Sequence, residues 1–296
     1  MAIINTATTD MVMSTGNKEY WSDIISPRHR WFYVDLRVLW RYRDLCFMYV
    51  KQNFITLYKQ TILGPLWFFI QPIMSIVIYM FIFGGLAGIS TEGVPQPLFY
   101  MAGILLWNYF NDCFNASSDV LGSHRHLFEK VWFPRLILPI SGSISSLLKL
   151  GIQFILFIFI YLGCLFVNDN LHLTWEILLL PVYLLMIALH GISWGLIVSS
   201  ITYKYRDLQV LIGFMMQLFM YVTPVVYPLE TIPEKYKIIV SINPLSSIFE
   251  TFKYGCFGHG SPDWWGLLYS LGFLMVLLTF SVIIFNRAER NFIDTV

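Results

Sequence analysis

Three groups of residues in this chain have types and spacings that chemistry could use. Gly191-Ile192-Ser193-Trp194-Gly195 spells the GxSxG of a hydrolase nucleophile elbow, with His190 beside it. Asp112 and Asp119 stand two helical turns apart on one face, with His124 and His126 just beyond. Clustered carboxylates and imidazoles at a membrane face are what a glycosyl or acyl transferase would need. Lys149 is the one basic residue inside an apolar run, and an ionisable group there is a functional candidate by default.

Each group also has a plainer reading. The elbow needs a strand, a sharp turn and a helix, whereas Gly191 and Gly195 sit midway along an apolar stretch. There they read as a small-xxx-small packing face. Asp112 and Asp119 share their segment with Asn108, Asn111 and Asn115, so that helix should face protein or water rather than lipid. Residues 150–167 already form an uncharged run, so Lys149 also reads as the marker of its cytoplasmic end, or snorkels there.

Other chemistries are missing from the sequence. No lysine follows a glycine, so no Walker A loop can form, and no histidine is followed by glutamate, so there is no HExxH zinc site. The four cysteines (Cys46, Cys113, Cys164, Cys256) are widely spaced and read as small hydrophobes. The expectation is no catalytic residue, no metal and no cofactor in this chain. ATP and Mg, if used, are bound by a partner.

Of the 296 residues, 57% are hydrophobic, 18% aromatic and 12% charged, and the mean hydropathy is +0.64. Soluble domains carry about 45–50% apolar and about 25% charged residues. Half the usual charge cannot cover a soluble surface of this size. That excludes a disordered chain, a collagen, a disulfide scaffold and an ordinary cytosolic enzyme, and leaves a multi-span membrane protein. The net charge of +1 gives no case for nucleic acid. The first 30 residues hold no apolar core of signal-peptide type, so the first span is expected to direct insertion.

The expected fold is an all-α integral membrane protein. A bilayer core of about 30 Å needs roughly 20 mostly apolar residues per helix. Six runs approach that length, at 62–86, 98–121, 138–167, 175–200, 208–227 and 264–286. Of the 19 Lys and Arg, Lys149 lies within a span and only Lys235, Lys237 and Lys253 fall on one side; the rest share the other. The positive-inside rule then puts both termini in the cytoplasm.

The remaining segments complete the plan. Residues 1–30 are a polar tail. Residues 31–60 form an amphipathic helix along the cytoplasmic interface, with Phe32, Leu36, Leu39 and Trp40 recurring at helical spacing and Arg37, Arg41 and Asp44 on another face. Gly64-Pro65 breaks the chain into the first span. Between the fifth and sixth spans, residues 229–258 hold two apolar pieces divided by Asn243-Pro244, each too short to cross. They read as a re-entrant helical hairpin from outside, packed on protein. Residues 287–296 are a cytoplasmic C-terminus.

Several strings together carry a family resemblance. Tyr58-Lys59-Gln60-Thr61-Ile62-Leu63-Gly64-Pro65-Leu66-Trp67 with Gln71-Pro72 resembles the start of the first span in permeases of polysaccharide-exporting ATP-binding-cassette transporters. So do Phe133-Pro134-Arg135, Tyr205-Arg206-Asp207-Leu208, Thr223-Pro224-Val225 with Tyr227-Pro228, and Asn243-Pro244-Leu245. The similarity runs in order from about Tyr42 onward.

The resemblance implies a homodimer of six-span subunits in the bacterial inner membrane, bound to two copies of a separate ATPase subunit. Its cargo is lipid-linked polysaccharide of the O-antigen, capsule or teichoic-acid kind. The loop 123–135 matches the position of the coupling helix, with His124, Arg125, His126, Phe128, Glu129 and Lys130 meeting the ATPase. Aromatic rings stack on sugar ring faces without demanding one register. The translocation path is accordingly expected at Trp67, Phe68, Gln71, Trp107, Tyr109, Asn111, Phe219, Tyr221 and Tyr227. Pro224, Pro228, Asn243 and Pro244 are expected at the outer gate. Arg37, Arg41, Arg43 and Lys59 could attract the carrier's pyrophosphate, although solvated positive-inside charge is the better explanation for most of them. The same scaffold exporting a drug or another lipid is the alternative.

Overall fold

The computed structural model describes residues 36–59, 61–123, 133–166, 171–205 and 207–295, and all regular structure among them is helical. Four segments are long and apolar enough to cross a membrane: Gly64–Leu86, Ile137–Leu165, Trp175–Thr202 and Trp264–Glu289. The chain is a multi-pass membrane protein. Two further expected spans fall short of that standard for different reasons. Helix α4 (Gln96–Ser118) is 23 residues long but carries Asn108, Asn111, Asp112 and Asn115. Helix α8 (Leu208–Val222) is apolar but only 15 residues long.

The chain enters through α1 (Leu36–Arg41) and α2 (Arg43–Tyr58). Leu39, Tyr42, Leu45, Cys46 and Tyr49 recur at helical spacing and pack on a cluster that includes Val120, Phe133, Leu138, Leu196 and Phe285. Trp40, on the expected apolar face, is 70% exposed and sits under the Arg43 guanidinium, 5.6 Å from its ring centroid. Phe32 lies outside the described residues.

The first span starts with a sharp turn. Gly64 has φ +54°, a left-handed conformation with open space around it, so glycine is there for its backbone freedom. A 3₁₀ turn (Gly64–Leu66) leads into α3 (Trp67–Tyr79), with Pro72 inside the helix, and a π-helical stretch (Met80–Leu86) completes the span. Pro72 removes one backbone donor, and the π stretch widens the turn; both loosen this rod relative to the others.

Helix α4 is the centre of the molecule. Leu98, Tyr100, Met101, Leu106, Phe110 and Cys113 are fully buried on it, all round the helix. The short α5 (Val120–Ser123) continues its line. Against α4 pack α6 (Ile137–Leu165) and α7 (Leu180–Thr202), the latter entered by a 3₁₀ turn at Trp175–Leu179. Small residues set the approach. A methyl on Gly191 would meet the Phe110 oxygen at 3.0 Å, and one on Gly195 the Phe114 oxygen at 2.7 Å. The GxSxG string is therefore a helix seam with no nucleophile elbow, as the span position suggested. Gly142 on α6 lies just as close to Ala116.

The segment after α8 forms two helices, α9 (Glu234–Ile242) and α10 (Pro244–Phe257), before the long α11 (Trp264–Thr295). Asn243 caps α10: its Oδ1 accepts from the Leu245 amide at 3.0 Å, and Pro244 occupies the first turn. Gly258 ends α10 with φ +70°. Leu245, Ile248, Phe249, Phe252, Cys256 and Phe257 bury α10 in the same core as α4.

A methyl at Gly103 would collide with the Val225 carbonyl, so Gly103→Val should cost about 1–3 kcal/mol by overpacking. The check is a lower thermal unfolding midpoint of the purified protein in lipid nanodiscs. An unchanged midpoint would mean that α4 and the 223–226 segment do not touch.

Candidate functional site

Two polar groupings stand out against the apolar body. The first is a cleft of about 510 Å³ walled by α2, α4 and α6. Gln52, Asn53 and Thr56 come from α2, Asp112 and Asn115 from α4, Asp119 from just past its end, and Ser145, Ser146 and Lys149 from α6. Lys149 Nζ donates to Asp112 Oδ2 at 2.8 Å, with side chains 16% and 28% exposed. Lys149 thus lies within its 29-residue helix and pairs with one of the two carboxylates singled out on α4. Asp119 is tied differently, accepting from Gln209 Nε2 of α8 at 2.6 Å.

The local reason for this cleft is the serine-rich first half of α6. Ser141, Ser143 and Ser146 turn their hydroxyls back to carbonyls on their own helix, at 2.9, 2.9 and 3.0 Å. Ser145 makes no such bond: it is 3% exposed and its Oγ has no partner.

The second grouping lies where residues 223–226 meet α9 and α10. Asn243 Nδ2 donates to Thr223 Oγ1 at 2.8 Å, while the Asn243 oxygen caps α10. Lys253 Nζ donates to the Pro224 carbonyl at 2.6 Å, lies 4.1 Å from the Phe99 ring centroid and stands 3.7 Å from Glu250. Burial pushes the Lys253 ammonium below its ordinary range, against the pull of Glu250 and Glu92. Burial likewise pushes the Glu250 carboxyl up; Lys253 opposes this, and Glu92 and Glu230 reinforce it. Pro224, Pro228, Asn243 and Pro244, expected together at an outer gate, are all buried in or beside this joint. Lys253, its central side chain, carried no sequence signal, because one lysine in a short amphipathic piece looks like solvated charge.

The candidate path residues divide. Trp67, Gln71 and Tyr221 are exposed. Asn111, Phe219 and Tyr227 are half-buried, and the Tyr227 hydroxyl donates to the Tyr221 carbonyl at 2.9 Å. Trp107 and Tyr109 are buried within the subunit, and Trp107 meets Phe219 edge-on at 6.0 Å. Phe68 is buried too, stacked on Phe54 of α2 at 5.9 Å. Arg37, Arg41, Arg43 and Lys59 are all exposed on or just after the first two helices, Arg43 lying 3.7 Å from Asp44. His124, Arg125, His126, Phe128, Glu129 and Lys130 lie outside the described residues. Among the described residues, no group of three His, Cys, Asp or Glu is placed to hold a metal.

Comparisons with known proteins agree with one another. The O-antigen export system permease protein RfbA of Myxococcus xanthus is 26% identical over 264 residues, covering 88% of this chain and 98% of its own length. A protein of the same name from Klebsiella pneumoniae is 26% identical, covering 85% and 94%. The polysialic acid transport protein KpsM of Escherichia coli is 23% identical, covering 77% and 87%. The ABC-2 type transporter pattern matches residues 44–257, from α2 through the end of the outer hairpin. With most of its length accounted for in this way, the chain belongs to the ABC-2 type transporter family.

Proposed function

We propose that this chain is the channel-forming permease subunit of an ATP-driven exporter. Its cargo is lipid-linked polysaccharide of the O-antigen type, carried from the cytoplasm across the bacterial inner membrane. The observation that carries this reading is the near end-to-end similarity to O-antigen export permeases, 98% of the Myxococcus xanthus protein being covered.

The reading makes α4 and α8 the second and fifth of six spans, with both termini cytoplasmic. The polar face of α4 supports this, because a helix shielded by neighbours need not be apolar throughout. Although α8 is about 22 Å long at 1.5 Å per residue, the buried stretch Thr223–Val226 extends it outward. Trp175 and Trp264, stacked at 5.5 Å, and the exposed Trp265 suit the outer interface.

A second copy of the chain completes the channel. Helix α8 buries no residue in its own subunit, and Val210, Leu211, Phe214 and Leu218 are exposed on it. Such a surface wants a partner or lipid. Trp67, Gln71 and Tyr221 then present rings and an amide to the path, backed by Phe219 and Trp107. The outer hairpin is the gate. The exposed bases Arg37, Arg41, Arg43 and Lys59 draw the anionic carrier to the cytoplasmic side. Two copies of a separate ATPase subunit bind ATP and Mg and drive the cycle through residues 124–130.

Deleting the gene should remove surface polysaccharide and leave lipid-linked glycan inside the cell. Intact surface glycan with increased drug sensitivity would overturn the cargo. Replacing residues 125–130 with Gly and Ser should abolish co-purification of the ATPase, and undiminished recovery would move coupling elsewhere. Lys253→Met leaves the Pro224 carbonyl and Glu250 without their cation, at a cost of about 3–5 kcal/mol. The expected readout is a lower unfolding midpoint, partly restored when Glu250→Gln is added. No change in either variant would remove Lys253 as the holder of the gate.

A further inference from the structure

The cleft between α2, α4 and α6 has no role in the scheme above, and its chemistry is specific. In a chain that is 57% hydrophobic, its walls bring together the amides of Gln52, Asn53 and Asn115 and the hydroxyls of Ser145 and Ser146. Tyr49, Leu57 and Leu138 supply apolar surface beside them. Buried hydroxyls nearly always have a partner, yet the Ser145 Oγ has none, while its serine neighbours on α6 satisfy themselves on their own helix. Ser145 thus borders the cleft with a buried hydroxyl that its own helix does not use.

Charge decides what the cleft fits. Its one base, Lys149, is already neutralised by Asp112 at 2.8 Å, and Asp119 adds a further negative charge. A pyrophosphate or an anionic headgroup would meet net negative potential there. A sugar has no charge to repel: its hydroxyl edge takes amides, hydroxyls and a carboxylate, and its ring face takes tyrosine and leucine. A volume of about 510 Å³ falls within the range of pockets that hold small ligands, roughly 300–1,000 Å³. We infer that this cleft binds a neutral sugar unit of the lipid-linked glycan. The exposed bases of α1 and α2 are left to hold the carrier's phosphates.

This rests on the polysaccharide reading and is tested so that the two can fail separately. The probe is the lipid-linked glycan extracted from cells lacking the chain. The protein is the permease–ATPase complex in nanodiscs carrying Ser146→Cys. The readout is the rate of thiol modification at that position, resolved by mass spectrometry so that the native cysteines can stay. The extracted glycan should slow modification about fivefold or more, whereas sugar-free undecaprenyl diphosphate and phosphatidylglycerol should not. Adding Asn115→Leu, at an exposed position that leaves the fold intact, should abolish the protection. Equal protection by the sugar-free carrier or by phosphatidylglycerol, or no protection by the glycan, overturns the sugar site. If cells lacking the chain accumulate no lipid-linked glycan, it is the export reading that has failed.

Discussion

The structure depends on how closely other backbones can come to α4. In lipid, apolar side chains gain nothing by burial against one another that they would not have against acyl chains, so contact must be close to be worth making. Glycines supply the closeness on several sides. Gly191 and Gly195 let α7 touch α4, Gly142 lets α6 reach Ala116, and Gly103 on α4 itself receives the Val225 carbonyl. Each is a place where a single added carbon pushes the helices apart. With those seams closed, the rings of Tyr100, Phe110, Phe249 and Phe252 fill what remains.

Once the seams exist, polar groups in this body have to find partners inside the protein, and that need shapes both groupings described above. On one side Lys149 finds Asp112. On the other, Lys253 finds a backbone carbonyl, the face of an aromatic ring and a carboxylate. Asn243 serves three groups at once: its Oδ1 caps α10, its backbone amide donates to the Val240 carbonyl, and its Nδ2 donates to Thr223. These are the points where different elements are fixed to each other in register, because a hydrogen bond is directional where an apolar contact is not.

Much of this was legible in the sequence. Apolar runs marked four segments long enough to cross a membrane, and Asn243-Pro244 the division between α9 and α10, because those signals are local. The small-xxx-small reading of Gly191 and Gly195 followed from their place within a span. What was not legible depended on pairing between distant segments. Asp112 and Lys149 were each noticed, but 37 positions separate them, and nothing in either neighbourhood names the other. Leu39 of the expected apolar face packs on the bundle together with Tyr42, Leu45 and Cys46, a division of that face that depends on which elements lie against it. Trp107 and Tyr109 carry the right chemistry for a lining, and within the subunit both are buried, a placement that local spacing does not specify.

Helix α8 is fastened unlike its neighbours. It buries none of its own residues. Its side-chain ties include Gln209 to Asp119 at one end, and Met220 to Tyr79 and the Tyr221 carbonyl to Tyr227 near the other, with Thr223 bonded to Asn243 just past it. Each ordinary hydrogen bond is worth about 0.5–1.5 kcal/mol net. A rod fixed by so few pins can swing or slide as a unit while the glycine seams stay shut. Within one subunit α8 is held by Phe219 against Trp107 and Phe110 and by those few bonds, which leaves most of its length to be enclosed from outside the subunit.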